Sequence, residues 1–240
     1  MKQSLRILLI LLSGFVGVAQ TVNHQSQIWA NYNVQLPFKN QKSFQMEFSE
    51  RVFTSPFQHA LFAVRGIYRF PIKKNLDMGI GFANFNQTPT DPSVQPRLAI
   101  PEFRPNLDIV YKKNFKKITF ENRFRLEPRF YQIPNAAKTE LTSIVTLGAI
   151  RWRYRLQAMG SVSRKVDARI GAEILLNSEV NIPTRGLDQF RGIAGISYKF
   201  SPKVQLETAY IYQLQTKGTV DFFERDVFWL SLTQKLAFNH

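Results

Sequence analysis

Residues 228–238 of the 240-residue chain read FWLSLTQKLAF, and apolar side chains recur at every second position over most of this segment. The even-numbered face carries Phe228, Leu230, Leu232, Leu236 and Phe238, and the odd-numbered face carries Trp229, Ser231, Thr233, Lys235 and Ala237. A period of two predicts a β-strand, and a strand of this length can cross an outer membrane at a tilt. The segment therefore predicts a membrane-crossing strand that ends on an aromatic residue.

The first nineteen residues have the three parts of a secretory signal. Lys2 and Arg6 form a basic start, residues 5–18 are otherwise largely apolar, and Gly17 and Ala19 are the small residues that a signal peptidase requires. The apolar run is too short to remain in a bilayer as a helix. We predict that residues 1–19 are removed before Gln20 and that residues 20–240 form one barrel domain.

The composition excludes several classes of protein. The chain has no cysteine, so disulfides, thiol catalysis and cysteine metal sites are not possible. No later segment has 18 consecutive apolar residues, which argues against membrane-spanning helices. The net charge is +15, but the basic residues are spread over many predicted strands and turns. This spread favours an anionic lipid surface or a lumen for anions over a nucleic-acid partner.

Ten further segments alternate in the same way, and no helical period persists along the chain. They are residues 28–36, 43–52, 60–70, 76–85, 102–112, 118–130, 150–158, 167–176, 191–200 and 204–215. Short links at 37–42, 71–75, 113–117, 160–166 and 201–203 alternate with longer links at 54–59, 86–101, 132–140, 177–189 and 216–225. The pattern is typical of an all-β, antiparallel up-and-down transmembrane β-barrel.

The number of strands conflicts with the usual parity. Eleven segments alternate, whereas bacterial single-chain barrels have an even number of strands. Either a further strand lies in residues 20–27 or 140–148, or one segment stands outside the barrel. The sequence thus predicts about ten to twelve strands, and we favour twelve.

Alternation alone does not say which face lies inside. A soluble barrel has its apolar face inside, and a membrane barrel has it outside. The polar face here combines arginines and glutamates with small residues, as a wet interior would, and aromatic residues lie on the apolar face near the predicted links. These candidates for interfacial girdles are Tyr68, Phe70, Tyr111, Tyr198, Phe200 and Phe238 near short links, and Tyr212 and Phe228 beside a long one. We therefore predict that the apolar face contacts lipid.

Several short motifs are spread over most of the mature chain. They are QIW at 27–29 with Tyr32, ER at 50–51, GIY at 66–68, DMG at 77–79, RFRLEPRF at 123–130 and IRWRYR at 150–155. Together they resemble the uncharacterised outer-membrane β-barrel family known as domain of unknown function 2490. The resemblance implies a barrel in the outer membrane, and it brings no assigned activity.

Few residues are candidates for catalysis. Of His24, His59 and His240, His59 begins a predicted strand beside Ser55 at the barrel rim, where a lipid hydrolase could hold a Ser/His pair. The simpler interpretation is a polar loop histidine. The sequence has no nucleophile-elbow motif and no histidine–carboxylate spacing suited to a metal, so no catalytic residue, cofactor or metal is predicted. Gly79 and Gly81 are interpreted as small strand residues that relieve crowding.

The strongest pattern is a ladder of charges on the predicted inward face. Its central members are Arg104, Asp108, Glu121, Arg123, Arg125, Glu127, Arg129, Arg151, Arg153 and Arg155. Such side chains can pair across a narrow barrel and plug it, which requires no function. Alternatively, the surplus of arginines makes a pore that prefers anions. On that second interpretation, Arg153→Glu reduces the preference without unfolding the barrel.

These features predict a monomeric outer-membrane β-barrel of the Gram-negative envelope, without enzymatic activity, whose partners are membrane lipids and small anions rather than nucleic acid. Its role is either structural and accessory or that of a narrow, porin-like passive pore for small anionic solutes. Basic short turns, such as Lys73 with Lys74 and Lys112 with Lys113, either keep the hairpin ends in water or hold anionic head groups. The alternatives are an outer-membrane lipid-modifying enzyme and a soluble periplasmic lipid-binding barrel.

Overall fold

The computed structural model describes residues 22–180, 186–217 and 221–236. The predicted signal segment 1–19, the cleavage point before Gln20, Phe238 and His240 lie outside this part of the chain. The described residues form the strands β1 (Val22–Pro37), β2 (Ser43–Thr54), β3 (Phe57–Lys73), β4 (Leu76–Gln87), β5 (Ile100–Phe115), β6 (Ile118–Pro134), β7 (Leu141–Ser161), β8 (Val166–Glu179), β9 (Leu187–Lys199), β10 (Val204–Lys217) and β11 (Asp221–Lys235). None of these residues belongs to a helix long and apolar enough to cross a membrane.

The strands close into a barrel in which each pairs with its neighbours in the chain. These hairpin pairings are antiparallel, and the barrel is closed by a parallel pairing of β1 with β11, which sets Ile28 opposite Phe228. The predicted barrel is confirmed, but the favoured count of twelve is wrong, because the described residues form eleven strands. The segments suspected of hiding a strand instead lengthen β1 and β7. A parallel seam is what allows an odd number of strands to close.

The two ends of the barrel differ in their links. The "turn end" carries links 38–42, 74–75, 116–117, 162–165 and 200–203. The "loop end" carries links 55–56, 88–99 and 135–140, together with the last residues of β8 and β10 and the first residues of β9 and β11. Two of the predicted long links are therefore short, because β2 and β3, like β10 and β11, extend further than alternation indicated. Asn75 closes a two-residue turn at φ 66°, a conformation that asparagine tolerates better than most residues.

The described strands turn their polar side chains inward and many of their apolar side chains outward. On the outer surface Ile80, Ile170 and Ile196 are more than half exposed, although they are fully apolar. Inside, charged and amide side chains dominate, with two small apolar clusters among the described residues. One cluster is Trp29, Ile193, Ala209, Ile211 and Val227, and the other is Leu61, Ala63, Ala83 and Phe85. The barrel is thus held by its backbone ladder and a polar interior.

Small residues on β4 let neighbouring strands approach closely. A Cβ placed on Gly81 would lie 2.3 Å from the Gly66 carbonyl oxygen, and one on Gly79 would lie 2.9 Å from Ile67 Cδ1. Neither contact leaves room for a methyl group without movement. The two glycines therefore serve packing, as the sequence analysis inferred.

Candidate functional site

The ten central members of the charge ladder all lie in the barrel interior. β5 supplies Arg104 and Asp108 and β7 supplies Arg151, Arg153 and Arg155, while β6 supplies Glu121, Arg123, Arg125, Glu127 and Arg129. Nine of the ten are buried, and Arg155 is partly exposed to the interior cavities that it lines. They reach the lumen because inward positions fall on every second residue of each strand.

Strands β6 and β7 form a wall of arginines. Arg123 stands opposite Arg155, and Arg125 stands opposite Arg153, in the antiparallel register. Like charges in such positions repel each other. The wall is stabilised by carboxylates that lie against it, some from β6 itself and some from other strands.

Asp108 neutralises the centre of this wall. Arg125 Nη2 donates to Asp108 Oδ2 at 2.8 Å, its Nε donates to the other carboxylate oxygen, and Arg69 Nη2 lies 2.9 Å from Oδ2. Arg125 Nη1 is also 3.5 Å from Glu127 Oε1. Asp108 and Glu127 are completely buried, so their charges depend on these partners.

Glu173 of β8 joins three strands. It accepts hydrogen bonds from Arg123 of β6 at 2.8 Å, Arg153 of β7 at 3.0 Å and Arg191 of β9 at 3.3 Å. Arg153 also lies 3.4 Å from Glu127, which connects this group to the centre of the wall. The result is one continuous ion-pair network across the lumen, from β3 to β9.

Further ion pairs lie above and below the network. Toward the loop end, Glu102 accepts from both Arg104 and Arg129 at 2.6 Å. Toward the turn end, Arg155 donates to Glu121 at 3.0 Å. Other pairs of the interior are Arg151–Asp188, Arg65–Glu47 and Arg169–Glu207.

Two cavities of the lumen are lined by members of the charge ladder. The "loop-end chamber" has a volume of about 420 Å³ and the "turn-end chamber" one of about 450 Å³. Both are lined by Glu47, Arg65, Arg123, Arg155 and Trp229, so this layer separates them. Of the described residues, eleven arginines but only three carboxylates line the loop-end chamber. Glu102, Glu121, Glu127 and Glu207 pair with lining arginines from outside the lining, and the chamber keeps a net positive charge.

Two arginines of the loop-end chamber have no carboxylate partner within the described part of the chain. Arg51 stacks on Trp29, with its guanidinium carbon 3.7 Å from the indole centroid, and its Nε has no hydrogen-bond partner. Arg225 donates to the side chains of Gln25 and Gln215 and to the Thr90 carbonyl oxygen. These two side chains supply much of the uncompensated charge.

The link 88–99 crosses the loop end as a lid. Arg225 Nη2 of β11 donates to the Thr90 carbonyl at 2.9 Å, and Lys217 Nζ of β10 lies 3.1 Å from Asp91 Oδ2. On its own side of the barrel the lid is held by the Thr88 hydroxyl, which donates to the His59 carbonyl at 2.9 Å. Hydrogen bonds from Ser93 and the nearby Lys217 ammonium hold the pKa of Asp91 below its ordinary value.

A family model described as "Protein of unknown function (DUF2490)" matches residues 26–224. The chain belongs to this family. No curated protein matches the chain. The matched segment contains the ion-pair network, the lid and most of both chambers, so the geometry described above lies in the part that the family shares. The family description names no activity, so a function can be proposed only from the chemistry of the lumen.

The sequence analysis missed three contributors to the lumen. Arg225 and Asp188 were assigned to loops, and Trp29 was noted in a short motif but not as a support for Arg51. Continuing the odd-numbered face of the last strand backward, through Val227 to Arg225 and Phe223, is the signal that could have found the first. Phe228, assigned to a girdle, instead lies at the middle of β11, because that strand begins at Asp221.

The rim histidine has a carboxylate neighbour. His59 Nδ1 lies 2.6 Å from Glu50 Oε1, and both side chains are exposed. In the described residues no hydrogen bond joins His59 to Ser55, so the Ser/His pair of a hydrolase is not assembled. The same residues contain no group of three or more histidines and carboxylates arranged to hold a metal ion.

Proposed function

We propose that the chain is a monomeric outer-membrane β-barrel of the Gram-negative envelope whose lumen passes small anions. The observation that carries the proposal is the lining of the loop-end chamber, with eleven arginines against three carboxylates among the described residues. A lumen with fixed positive charge repels cations and lowers the barrier for anions. The barrel closes within one chain, so a second copy is not needed to complete the lumen.

The outer surface supports placement in a membrane. Apolar side chains such as Ile80 of β4, Phe124 of β6, Ile170 of β8 and Phe228 of β11 are exposed around the barrel. A soluble monomer rarely exposes so continuous an apolar surface, whereas a lipid-facing barrel requires it. Aromatic pairs close to the turn end, such as Tyr198–Phe200 with ring centroids 5.0 Å apart, fit an interfacial girdle.

The turn end supports contact with an anionic lipid surface. The described basic residues here are Lys39, Lys42, Lys73, Lys74, Lys112, Lys113, Lys116, Lys117, Arg164, Lys165, Lys199, Lys203 and Lys235. The carboxylates within ion-pair distance of them are Asp77, Glu121 and Asp167. Such a basic ring beyond the girdle favours phosphate-bearing head groups.

Two features make the proposed passage narrow. The layer of side chains that lines both chambers separates them, and the lid covers the loop end. Only solutes of the size of phosphate, nitrate or a short carboxylate would pass between side chains that move by rotamer changes. The conductance should therefore be much smaller than that of an open porin.

The test is reconstitution of the detergent-purified protein into planar bilayers under a salt gradient. The expected result is a small conductance whose reversal potential is shifted toward the equilibrium potential of the anion. Cation preference would contradict the proposal. In cell fractionation, the protein should require detergent for extraction, and release by alkaline carbonate alone would contradict membrane insertion.

A plugged structural barrel is the second candidate, and the ion-pair network favours it. Asp108, Arg125, Glu127, Arg153 and Glu173 form an unbroken chain of contacts across the lumen. If this chain does not rearrange, folded protein passes no current. Absence of conductance from protein shown to be folded would support this candidate.

A further inference from the structure

The loop-end chamber contains arginine donors that the protein itself does not satisfy. Arg51 has no carboxylate within ion-pair distance among the described residues, and its Nε is buried without a hydrogen-bond partner. The Nε atoms of Arg123, Arg153 and Arg155, which line the same chamber, are also buried without partners. Buried guanidinium groups in this state are costly unless an anion or water accepts their hydrogen bonds.

Trp29 fixes two of the arginines on one wall. The guanidinium carbon of Arg51 is 3.7 Å, and that of Arg191 is 5.1 Å, from the centroid of the same indole ring. The indole is itself held by a hydrogen bond from Nε1 to Gln27 Oε1 at 2.7 Å. An arginine stacked on a buried, hydrogen-bonded ring loses little further freedom when it binds a ligand.

The carboxylates of the protein neutralise the arginines of this chamber only in part. Arg191 shares Glu173 with Arg123 and Arg153, so one carboxylate serves three guanidinium groups. Arg225, the other arginine without a carboxylate, lies under the lid and completes the lining. The chamber thus has the charge of an anion site and a volume of about 420 Å³, within the range of small-molecule pockets.

We propose that the loop-end chamber is a binding site for a small dianionic oxyanion, such as free phosphate or a short dicarboxylate, with Arg51, Arg191 and Arg225 as the ligand-binding residues. Guanidinium groups bind phosphate and carboxylate oxygens through paired N–H donors, which a monovalent halide cannot match. The proposal rests on the proposed function for the route of the anion into the lumen, and it adds a site that holds the anion there.

The experiment is isothermal titration calorimetry of the full chain, folded in detergent micelles, with inorganic phosphate and with succinate at constant ionic strength. Saturable binding to one site is expected for at least one of them, and chloride should not compete at equal concentration. Arg51→Gln should weaken binding roughly tenfold or more, the cost of one charge-assisted hydrogen bond. Arg51→Lys should give an intermediate loss, because it keeps the charge without the fork of donors.

The control is Lys138→Gln, which removes one positive charge from an exposed link at the loop end, outside the lining of the chamber. It should leave binding unchanged. Equal weakening by both variants, or full competition by chloride, would show nonspecific charge attraction and overturn the proposed site. Saturable binding without conductance would support the binding site and contradict the proposed passage of anions. Anion-selective conductance without saturable binding would support the passage and contradict the binding site.

Discussion

Lys217 Nζ lies 3.1 Å from Asp91 Oδ2, although β10 and the end of β4 stand on opposite sides of the barrel. The contact ties the tip of the lid to the far rim. Both side chains are partly exposed, so the ion pair contributes about 1 kcal/mol or less to holding the lid. A hold this weak suits a cover that opens.

Lys217→Ala should loosen the lid. We expect added protease to cleave residues 88–99 severalfold faster in proteoliposomes, and we expect a larger conductance in planar bilayers. The reason is that a loss of about 1 kcal/mol raises the population of molecules with an open lid severalfold. Lys39→Ala, at the turn end, is the control and should change neither quantity. If the two variants behave alike, Lys217 does not hold the lid.

The lid tether should be insensitive to mild acid. The pKa of Asp91 is lower in the folded protein, chiefly through the hydrogen bond from Ser93, so its stabilising effect is fully present above the unfolded value of about 3.9. The effect is lost only as the pH falls through the folded pKa. Protease sensitivity of the lid should therefore be constant from about pH 7 to about pH 5. A rise in cleavage within that window would assign the tether to another group.

Leu230→Arg should destabilise the barrel, and Thr233→Arg should have little effect. Leu230 points outward near the middle of β11, whereas Thr233 lines the turn-end chamber. An arginine facing lipid at mid-bilayer depth costs about 2–4 kcal/mol. Leu232→Arg should cost less, because this residue lies closer to the end of the strand. Urea unfolding in lipid vesicles measures the loss of stability in all three variants. A larger loss for Thr233→Arg than for Leu230→Arg would mean that the face assigned to lipid is wrong.

Arg153→Glu should destabilise the barrel strongly, which corrects the expectation from sequence that it changes selectivity alone. Arg153 pairs with Glu127 and Glu173, so a glutamate there would bring three carboxylates together. Breaking such a buried pair costs about 3–5 kcal/mol. Arg51→Gln, which breaks no ion pair, should instead remain folded and lower the anion preference. Equal stability of the two variants by unfolding would mean that the network contributes nothing.

The positions of the strands were largely predictable from sequence, because inward and outward residues alternate wherever the outer face is apolar. The prediction failed at the start of β11. There Glu224 and Asp226 face outward, where Glu224 meets His24 and Asp226 accepts a hydrogen bond from Tyr210. Charges on the outer face interrupted the pattern, so this segment was interpreted as a loop and Arg225 was missed.

The ion pairs inside the lumen were harder to predict from the sequence than the strands. Glu102 with Arg129 and Asp108 with Arg125 join neighbouring strands, and alternation and hairpin order were enough to anticipate them. Arg69 with Asp108 and Arg123 with Glu173 join strands that are not paired. Such contacts depend on the curvature and stagger of the closed barrel, which the sequence pattern does not encode.

The parallel seam determines the order in which the barrel can be assembled. Hairpins form between neighbours in the chain, but the contact of Asn33 with Ser231 joins residues 198 positions apart. Closing so long a loop is entropically costly, and pairing of the intervening strands shortens the loop that remains to be closed, so we expect the seam to follow the hairpins. Until β11 reaches β1, the curved sheet has two open edges on which another chain could add a strand. The seam is thus the last join to form, and forming it removes both sites of misassembly at once.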